Sequence, residues 1–255
     1  MLFFGGNLKH NGRMIYMSKS IIIVGAGPGV GYETAKKYGS EGYQVGLINI
    51  LEPVLVELKE ELEQEGITVY YEAADASNTE ELNRAIDRLV QQLGGLTTYF
   101  YNVPGPLGKS YMPMIEAPES LFSLFLQLRV TSVLSSIQHV LPYLEKSHGS
   151  VLISSGQSDR IAYPYTGIMG TAQAALKMLM THLSQELKEK DIFVGYFPLD
   201  NPPLITDEKK EAKREDLPGG FELTKEMRIT AKDVAAEMFK EDLLREHFDV
   251  RIQKA

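Results

Sequence analysis

Cysteine is absent from the 255-residue sequence. A chain without cysteine forms no disulfide, no thiolate metal site and no cysteine nucleophile. This absence is typical of proteins in a reducing compartment, so we expect a cytoplasmic location. The histidines show no metal-ligand spacing among themselves, and we therefore expect no metal site; they are His10, His139, His148, His182 and His247.

Positive charge is also in short supply. The chain has 26 lysines and arginines against 34 aspartates and glutamates, for a net charge of −8 and a pI of about 5.3. Domains that bind nucleic-acid backbones are usually basic, so we expect no nucleic-acid partner. No uninterrupted apolar run reaches the roughly 18 residues that a membrane span needs, and we expect no membrane partner.

Apolar runs and helical patterns alternate along the chain from residue 19 to 255. Such alternation predicts parallel βαβ units. The expected fold class is therefore α/β, with a Rossmann-like, doubly wound parallel sheet in three layers and a single domain. The predicted strands are 21–24, 44–48, 68–72, 97–101, 150–154 and 193–197, and the predicted helices are 31–41, 52–65, 79–93, 121–144 (ending near Pro142) and 170–188.

Two segments fall outside this rhythm. Residues 1–18 combine a short apolar tip with glycines and asparagines, and we expect a flexible N-terminal extension. Residues 201–220 are rich in charge, proline and glycine. This composition fits a solvated helix of mixed charge and a lid over the site equally well.

A glycine-rich turn follows the first strand of the alternating pattern. It reads Gly25-Ala26-Gly27-Pro28-Gly29-Val30-Gly31 and leads into a helix. Glycines allow backbone amides to approach a pyrophosphate, and the helix N-terminus offers unpaired N–H groups and a favourable dipole. The turn therefore predicts dinucleotide binding by Gly25, Gly27, Gly29, Val30 and Gly31.

The spacing Gly25-x-x-x-Gly29-x-Gly31 resembles the short-chain dehydrogenase/reductase family, and further similarity extends from about residue 19 to 239. The segments that carry it are Ala74-Asp75-Ala76, Asn102-Val103-Pro104-Gly105, the strand that ends in Ser154-Ser155, Ala174-Ala175-Leu176 and the helix start at Thr230. The resemblance implies hydride transfer between a nicotinamide dinucleotide and a carbonyl or alcohol. It also implies that the cofactor contacts Asp75, Ala76, Asn102, Pro104, Gly105 and Pro198.

The choice between NAD and NADP depends in this family on the end of the second strand. An acid there favours NAD, and a base favours the additional phosphate of NADP. Asn49 occupies the position here, and Pro28 stands where NADP users often carry a basic residue. Because no nearby cation would neutralise a phosphate, the sequence slightly favours NAD.

The catalytic positions that the resemblance implies depart from the family pattern. The family uses a tyrosine as acid and base, a lysine four residues later that lowers its pKa, a serine and an asparagine. One register places Met169 and Gln173 at the tyrosine and lysine, and a second places Ile168 and Ala172 there. The asparagine position falls on Arg129, so that only the serine, Ser155, is retained.

Other side chains could replace the missing groups. Tyr163 and Tyr165 lie in the loop before the helix, and we take Tyr165, with Ser155 and Arg129, as the candidate catalytic set. Lys177 lies one turn beyond Gln173. Arg129 could polarise an oxyanion or bind a carboxylate if it points inward, whereas loop packing and surface exposure remain the alternatives for the tyrosines and Lys177.

Three functional hypotheses follow. The first is an NAD(P)-dependent oxidoreductase with a divergent active site that acts on a small carbonyl or alcohol. The second is a non-catalytic NAD(P)-binding sensor or partner subunit, and the third is a structural oligomer without a ligand. The helices over 121–144 and 170–187 are more apolar than one sheet face requires. Together with the resemblance, this predicts a homodimer or homotetramer.

Overall fold

The computed structural model describes residues 7–10, 13–16, 19–214, 217 and 223–254. Within the predicted extension, β1 (Asn7–His10) pairs antiparallel with β2 (Arg13–Tyr16). The rest of residues 1–18 lies outside the described residues. The flexibility of this segment stays a prediction.

Six parallel strands form the central sheet, in the order β5-β4-β3-β6-β7-β8. Each pairing of neighbours is parallel. Counted within this sheet alone, the order is 3-2-1-4-5-6, which confirms the predicted Rossmann-like α/β domain. The strands are β3 (Ser20–Val24), β4 (Gln44–Asn49), β5 (Val69–Ala73), β6 (Thr98–Tyr101), β7 (Ser150–Gly156) and β8 (Phe193–Leu199).

Helices cover both faces of the sheet and give the three layers. They are α1 (Val30–Ser40), α2 (Glu52–Gln64), α3 (Thr79–Leu93), α4 (Glu119–Leu126), α5 (Ser132–Ser147), α6 (Gly167–Lys188), α7 (Glu208–Ala212) and α8 (Ala231–Leu244). Successive strand residues point to opposite faces. Accordingly Ile22 and Val24 pack with α3, α5 and α6, whereas Ile21 and Ile23 pack with α1, α2 and α8. This two-sided burial explains the unbroken β-branched run of β3.

The long apolar helix differs from its prediction in two respects. A π-helical turn over Gln127–Thr131 separates α4 from α5, and Pro142 lies inside α5 instead of ending it. Pro142 is exposed while Val140 and Leu144 are buried, so packing of the flanking turns offsets the lost hydrogen bond. The helix ends at His148, whose φ of 51° is left-handed.

The helical stretch from Glu119 to Ser147 is long and apolar enough, by length and composition, to cross a membrane. The expectation of no membrane span rests on uninterrupted apolar runs, and polar residues interrupt this stretch. In the structure 39% of the most apolar window is buried, and α5 packs against α3 and β6. A core helix of a globular domain satisfies the same test, so this length carries no further conclusion.

Candidate active site

A cavity of about 1590 Å³ lies at the carboxyl edge of the sheet. This is where parallel α/β sheets bind their ligands. The cavity runs from the glycine turn after β3, past the ends of β4, β6 and β7, to α6. The predicted site residues that line it are Gly25, Gly27, Gly29, Val30, Gly31, Asn49, Asp75, Ala76, Asn102, Pro104, Gly105, Arg129 and Ser155.

The glycine turn is shaped by close backbone contacts. Gly25 has a φ of 81°, and a Cβ there would lie 2.7 Å from the carbonyl carbon and oxygen of Asn102. A Cβ on Gly31 would lie 2.8 Å from the Ala26 Cα. The first turn of α1 carries no side-chain cap. The Tyr32 and Glu33 amides of this turn donate to the Gly27 and Gly29 carbonyls, so the Val30 and Gly31 amides are the ones that can serve an anion, as a pyrophosphate site requires.

Two asparagines hold the ends of neighbouring strands through their amides. Asn49 Nδ2 donates to the Ala26 carbonyl over 2.6 Å, and its Oδ1 accepts from the Leu51 N–H over 2.9 Å. Asn102 Oδ1 accepts from Ser154 Oγ over 2.6 Å. Asn102 Nδ2 also donates to the Gly25 carbonyl over 3.2 Å, so both side chains fix the backbone beside the cavity, and the Asn49 amide is already occupied by the backbone of Ala26 and Leu51.

Arg129 lies in the π-helical turn between α4 and α5, with 5% of its surface exposed. Its Nη1 donates to the Val103 carbonyl over 2.7 Å. Its Nη2 lies 3.1 Å from the Ser154 carbonyl and 3.3 Å from Ser155 Oγ, and donates to both. Burial lowers the pKa of this guanidinium. Arg129 therefore points inward, to the end of β7.

A chain of hydroxyl groups leads from the cavity into the protein. Tyr196 Oη, on β8, lies 2.8 Å from Ser155 Oγ and 2.9 Å from Asp159 Oδ2. Since a carboxylate only accepts, the tyrosine proton points to Asp159, and the tyrosine oxygen accepts from the Ser155 hydroxyl. Burial raises the pKa of Tyr196, and the Asp159 side chain has no exposed surface.

Sequence reasoning missed Tyr196, Asp159 and Gln157. Gln157 lines the cavity with 2% of its surface exposed, and neither amide atom has a hydrogen-bond partner. The only sequence signal for these residues was their closeness to Ser155, in the chain or on the neighbouring strand. Glutamine and tyrosine are too common near strand ends for such closeness to identify them.

The structure separates the two registers that the sequence left open. Met169 and Gln173 line the cavity, whereas Ile168 and Ala172 are fully buried and are not among the lining residues. Gln173 Oε1 is buried without a partner. Met169 and Gln173 are thus the pair at the cavity wall, and their assignment to the tyrosine and lysine positions stays a prediction.

Tyr165 and Pro198 are not brought into the cavity. Tyr165 has a φ of 63° and 55% of its surface exposed, so the backbone turns its ring outward; Tyr163 lines the cavity instead. Because β8 continues to Leu199, Pro198 lies inside the strand opposite Ser155. Lys177 is occupied by Asp249, 2.9 Å away.

The described part of the predicted lid folds against the cavity. Its residues at the cavity wall include Ile205, Lys210 and Lys213. Glu211 anchors the segment, because its carboxylate accepts from Arg228 Nη1 over 2.6 Å and from the Ile205 N–H over 2.9 Å. The prediction of a lid applies to 201–220, of which 215, 216 and 218–220 lie outside the described residues, and its mobility stays a prediction.

Lys210 changes one premise of the cofactor prediction. The preference for NAD assumed that no cation lies near the end of β4. In the structure Lys210 lies in the cavity wall, 3.0 Å from Glu57 and 2.7 Å from Glu61 of α2. The cation comes from a segment about 150 positions away, which explains why the local sequence did not indicate it.

Among the described residues no group of three or more metal-ligating side chains is present.

Comparisons with known proteins agree with this geometry. The family model described as short chain dehydrogenase matches residues 19–199. The hydroxysteroid 11-beta-dehydrogenase 1-like protein of Gallus gallus is 31% identical over 168 residues, which cover 66% of this chain and 58% of that protein. Short-chain dehydrogenase/reductase SDRA of Arabidopsis thaliana is 23% identical over 191 residues, 74% of each chain.

Solved structures show the same fold. An alcohol dehydrogenase from Thermococcus sibiricus, complexed with 5-hydroxy-NADP, has a TM-score of 0.78 at 19% identity and covers 92% of this chain and 96% of its own. Levodione reductase has a TM-score of 0.79 at 16% identity with the same coverage. The chain spans less than two thirds of the length of its hydroxysteroid dehydrogenase-like relatives. Since the family model covers most of its residues, the chain belongs to the short chain dehydrogenase family.

Proposed function

We propose that the protein is an NAD(P)-dependent oxidoreductase with a divergent active site, acting on a small carbonyl or alcohol. The observation that carries the proposal is the single cavity that joins the glycine turn to Ser155. The residues of the glycine turn would hold a dinucleotide in the same cavity that Ser155 lines. Family membership supports the reaction class.

The residues of the turn fit a nicotinamide dinucleotide. The close contact at Gly25 shapes the turn, and the Val30 and Gly31 amides at the uncapped start of α1 lie at the cavity wall, where they would hold a diphosphate. Asp75 and Ala76 line the adjoining wall, and Asn102 and Gly105 the next. When bound, the dinucleotide supplies the hydride acceptor or donor.

The proton needs another route, because Met169 and Gln173 carry no proton for acid–base chemistry. We propose the relay Ser155–Tyr196–Asp159. In alcohol oxidation the substrate hydroxyl gives its proton to Ser155 Oγ, Ser155 passes its own to Tyr196 Oη, and Tyr196 passes its own to the Asp159 carboxylate. Carbonyl reduction runs the same transfers in reverse. The distances of 2.8 and 2.9 Å suit both protein steps.

Arg129 supports this relay electrostatically. Its guanidinium donates to Ser155 Oγ over 3.3 Å, and a buried cation there favours negative charge on the serine oxygen and on a substrate oxygen beside it. The raised pKa of Tyr196 keeps its phenol protonated at neutral pH. The phenol therefore transfers one proton as it receives another.

The test combines dinucleotide binding with turnover. Calorimetry with NAD(H) and NADP(H) is expected to show binding, and a panel of small alcohols, aldehydes and ketones is expected to give a change in nicotinamide absorbance. Ser155→Ala is expected to remove turnover and leave the dinucleotide Kd unchanged. Dinucleotide binding without turnover on any substrate would contradict an oxidoreductase.

That outcome would favour the second candidate, a non-catalytic NAD(P)-binding sensor or partner subunit. The observation in its favour is that Met169 and Gln173, which the sequence register assigns to the family's tyrosine and lysine, line the cavity. If neither nucleotide binds, both candidates fail, and the family likeness describes ancestry alone.

For the cofactor we propose a preference for NAD. Lys210 is already paired with Glu57 and Glu61 of α2, so its charge is compensated and offers little attraction to the additional phosphate of NADP. For assembly we propose a homodimer or homotetramer through α4, α5 and α6. Partly exposed apolar side chains along these helices, including Leu121, Phe122 and Met178, support it.

A further inference from the structure

Arg129 is a buried cation without an anionic partner. The groups that accept from it are the carbonyl oxygens of Val103 and Ser154 and the Ser155 hydroxyl. Among residues 19–214 and 223–254 no carboxylate forms an ion pair with it. Burial lowers its pKa, and the titratable groups that act against this are two tyrosines, Tyr101 and Tyr196. Carbonyl oxygens satisfy its N–H groups but leave its charge uncompensated, which is costly in a buried site.

Unsatisfied amides lie around the same strand end. Both polar atoms of the Gln157 side chain are buried and unpartnered, and Gln157 follows Ser155 by two positions. Gln173 Oε1 is also unpartnered, and its amide packs against Gly156, where a Cβ would lie 2.7 Å from Nε2. Native proteins pair nearly all such atoms. Because both glutamines line the cavity, a ligand is the natural partner.

We infer that this end of the cavity binds the carboxylate of an acidic substrate, through the Arg129 guanidinium and the Gln157 amide. The inference rests on the proposed function and deepens it, since it restricts the substrate to small oxo or hydroxy acids. One guanidinium matches the single charge of a carboxylate. The amide N–H of Gln157 donates to the second oxygen, and the free Oε1 atoms of Gln157 and Gln173 accept from a substrate hydroxyl.

The negative charge that Arg129 would bind is on the substrate and not on the cofactor. The glycine turn, around Gly27 and Gly31, would hold the diphosphate of a dinucleotide, and it follows β3, which β6 separates from β7 in the sheet. Arg129 Nη2 donates to Ser155 Oγ over 3.3 Å, and Gln157 follows Ser155 by two positions. An acid bound at Arg129 therefore presents its oxo or hydroxy group close to the relay.

The experiment measures acid preference by calorimetry on NAD-saturated protein. Levulinate, pyruvate and 3-hydroxybutanoate are each compared with their own methyl ester. At least one acid is expected to bind tenfold or more tightly than its ester. Arg129→Met is expected to reduce that ratio below twofold, and Gln157→Leu to weaken binding of the acid at least threefold more than binding of its ester.

Controls address folding and general charge. Arg84→Met removes an exposed arginine of α3 and is expected to leave the ratio unchanged. Retained NAD binding and an unchanged melting temperature identify folded variants. If Arg129→Met does not fold, the ratio of acid to ester binding is measured in Arg129→Lys and Gln157→Leu, and it is expected to fall in both. Equal binding of acid and ester by the wild type, no binding of any acid, or an undiminished ratio in folded Arg129 variants and Gln157→Leu would overturn the inference.

The result is separable from the proposed function. Acid preference without turnover would leave the carboxylate site standing and remove the oxidoreductase. Turnover confined to neutral alcohols and ketones, with no acid preference, would support the oxidoreductase and remove the carboxylate site.

Discussion

The two ends of the cavity are built in different ways. At the glycine turn the surface consists of backbone, and its shape depends on contacts that leave no room for a Cβ at Gly25 or Gly31. At the end of β7 the surface consists of side chains. Arg129, from the π-helical turn, and Gln157, from the turn after β7, line the cavity, whereas Tyr196 of β8 and Asp159 lie behind Ser155.

The two ends are therefore expected to tolerate different substitutions. A backbone site excludes added side-chain volume but does not depend on particular functional groups. A side-chain site depends on functional groups that several elements must bring together within hydrogen-bond distance. Binding of the dinucleotide is therefore expected to survive substitutions at Ser155 and Tyr196, and the chemistry is expected not to.

The largest effect is expected for Gly25→Ala. Its φ of 81° and the 2.7 Å contact with the Asn102 carbonyl combine backbone strain with a clash that backbone cannot relieve easily. We expect a loss of about 2–4 kcal/mol in the free energy of unfolding and about 100-fold weaker dinucleotide binding. Urea denaturation and calorimetry measure these.

Gly27→Ala is the matched control, because a Cβ there meets nothing within 4 Å. Its stability is expected to equal that of the wild type within about 1 kcal/mol. Equal stability of both variants would show that the turn is not held as described.

The second effect tests the side-chain end. Tyr196→Phe removes the hydroxyl between Ser155 and Asp159 but keeps the ring, which stacks on Phe248. We expect kcat to fall about 100-fold, a value in the range of general acid–base contributions, with an unchanged dinucleotide Kd. Tyr165→Phe is the control. Full activity of Tyr196→Phe, or a loss in Tyr165→Phe, would return the catalytic role to the loop tyrosines.

The contrast between the two ends also explains what the sequence could predict. The turn after β3 is local, so seven consecutive residues carried its signal and the structure has it where expected. The relay is not local, because Tyr196 and Ser155 are 41 positions apart and meet only through the pairing of β7 with β8. Tyr165, close to Ser155 in sequence, was predicted instead, and its left-handed backbone turns it to solvent.

A third effect concerns the lid and has a defined pH dependence. Burial disfavours the charged form of Glu211, but the bonds from Arg228 and the Ile205 N–H, with the charge of Arg214, hold its pKa below the ordinary value of about 4.5. A carboxyl with a lowered folded-state pKa contributes stability above its unfolded pKa and loses it as the pH falls through the folded pKa. Glu211 is therefore expected to stabilise the segment at neutral pH and not in strong acid.

Glu211→Gln leaves Arg228, with only 3% of its surface exposed, without a counter-charge. We expect a loss of about 2 kcal/mol at pH 7, and a smaller difference from the wild type as the pH falls below 4.5. Thermal unfolding across this range measures it. Glu208→Gln, on the exposed side of α7, is expected to change nothing. A difference that stays constant with pH would contradict the charge-based role of Glu211.

The smallest effect links the lid to the nucleotide end. Lys210 neutralises one of the two carboxylates of Glu57 and Glu61 at the wall beside β4. Lys210→Met raises the surplus negative charge there, which repels the additional phosphate of NADP more than the bare ribose of NAD. Because this wall is partly open to solvent, screening limits the change to about threefold in the ratio of the two dissociation constants. Calorimetry at low and high salt measures that ratio. An unchanged ratio at low salt would mean that Lys210 does not influence the nucleotide end, and a shift towards NADP would contradict the charge argument.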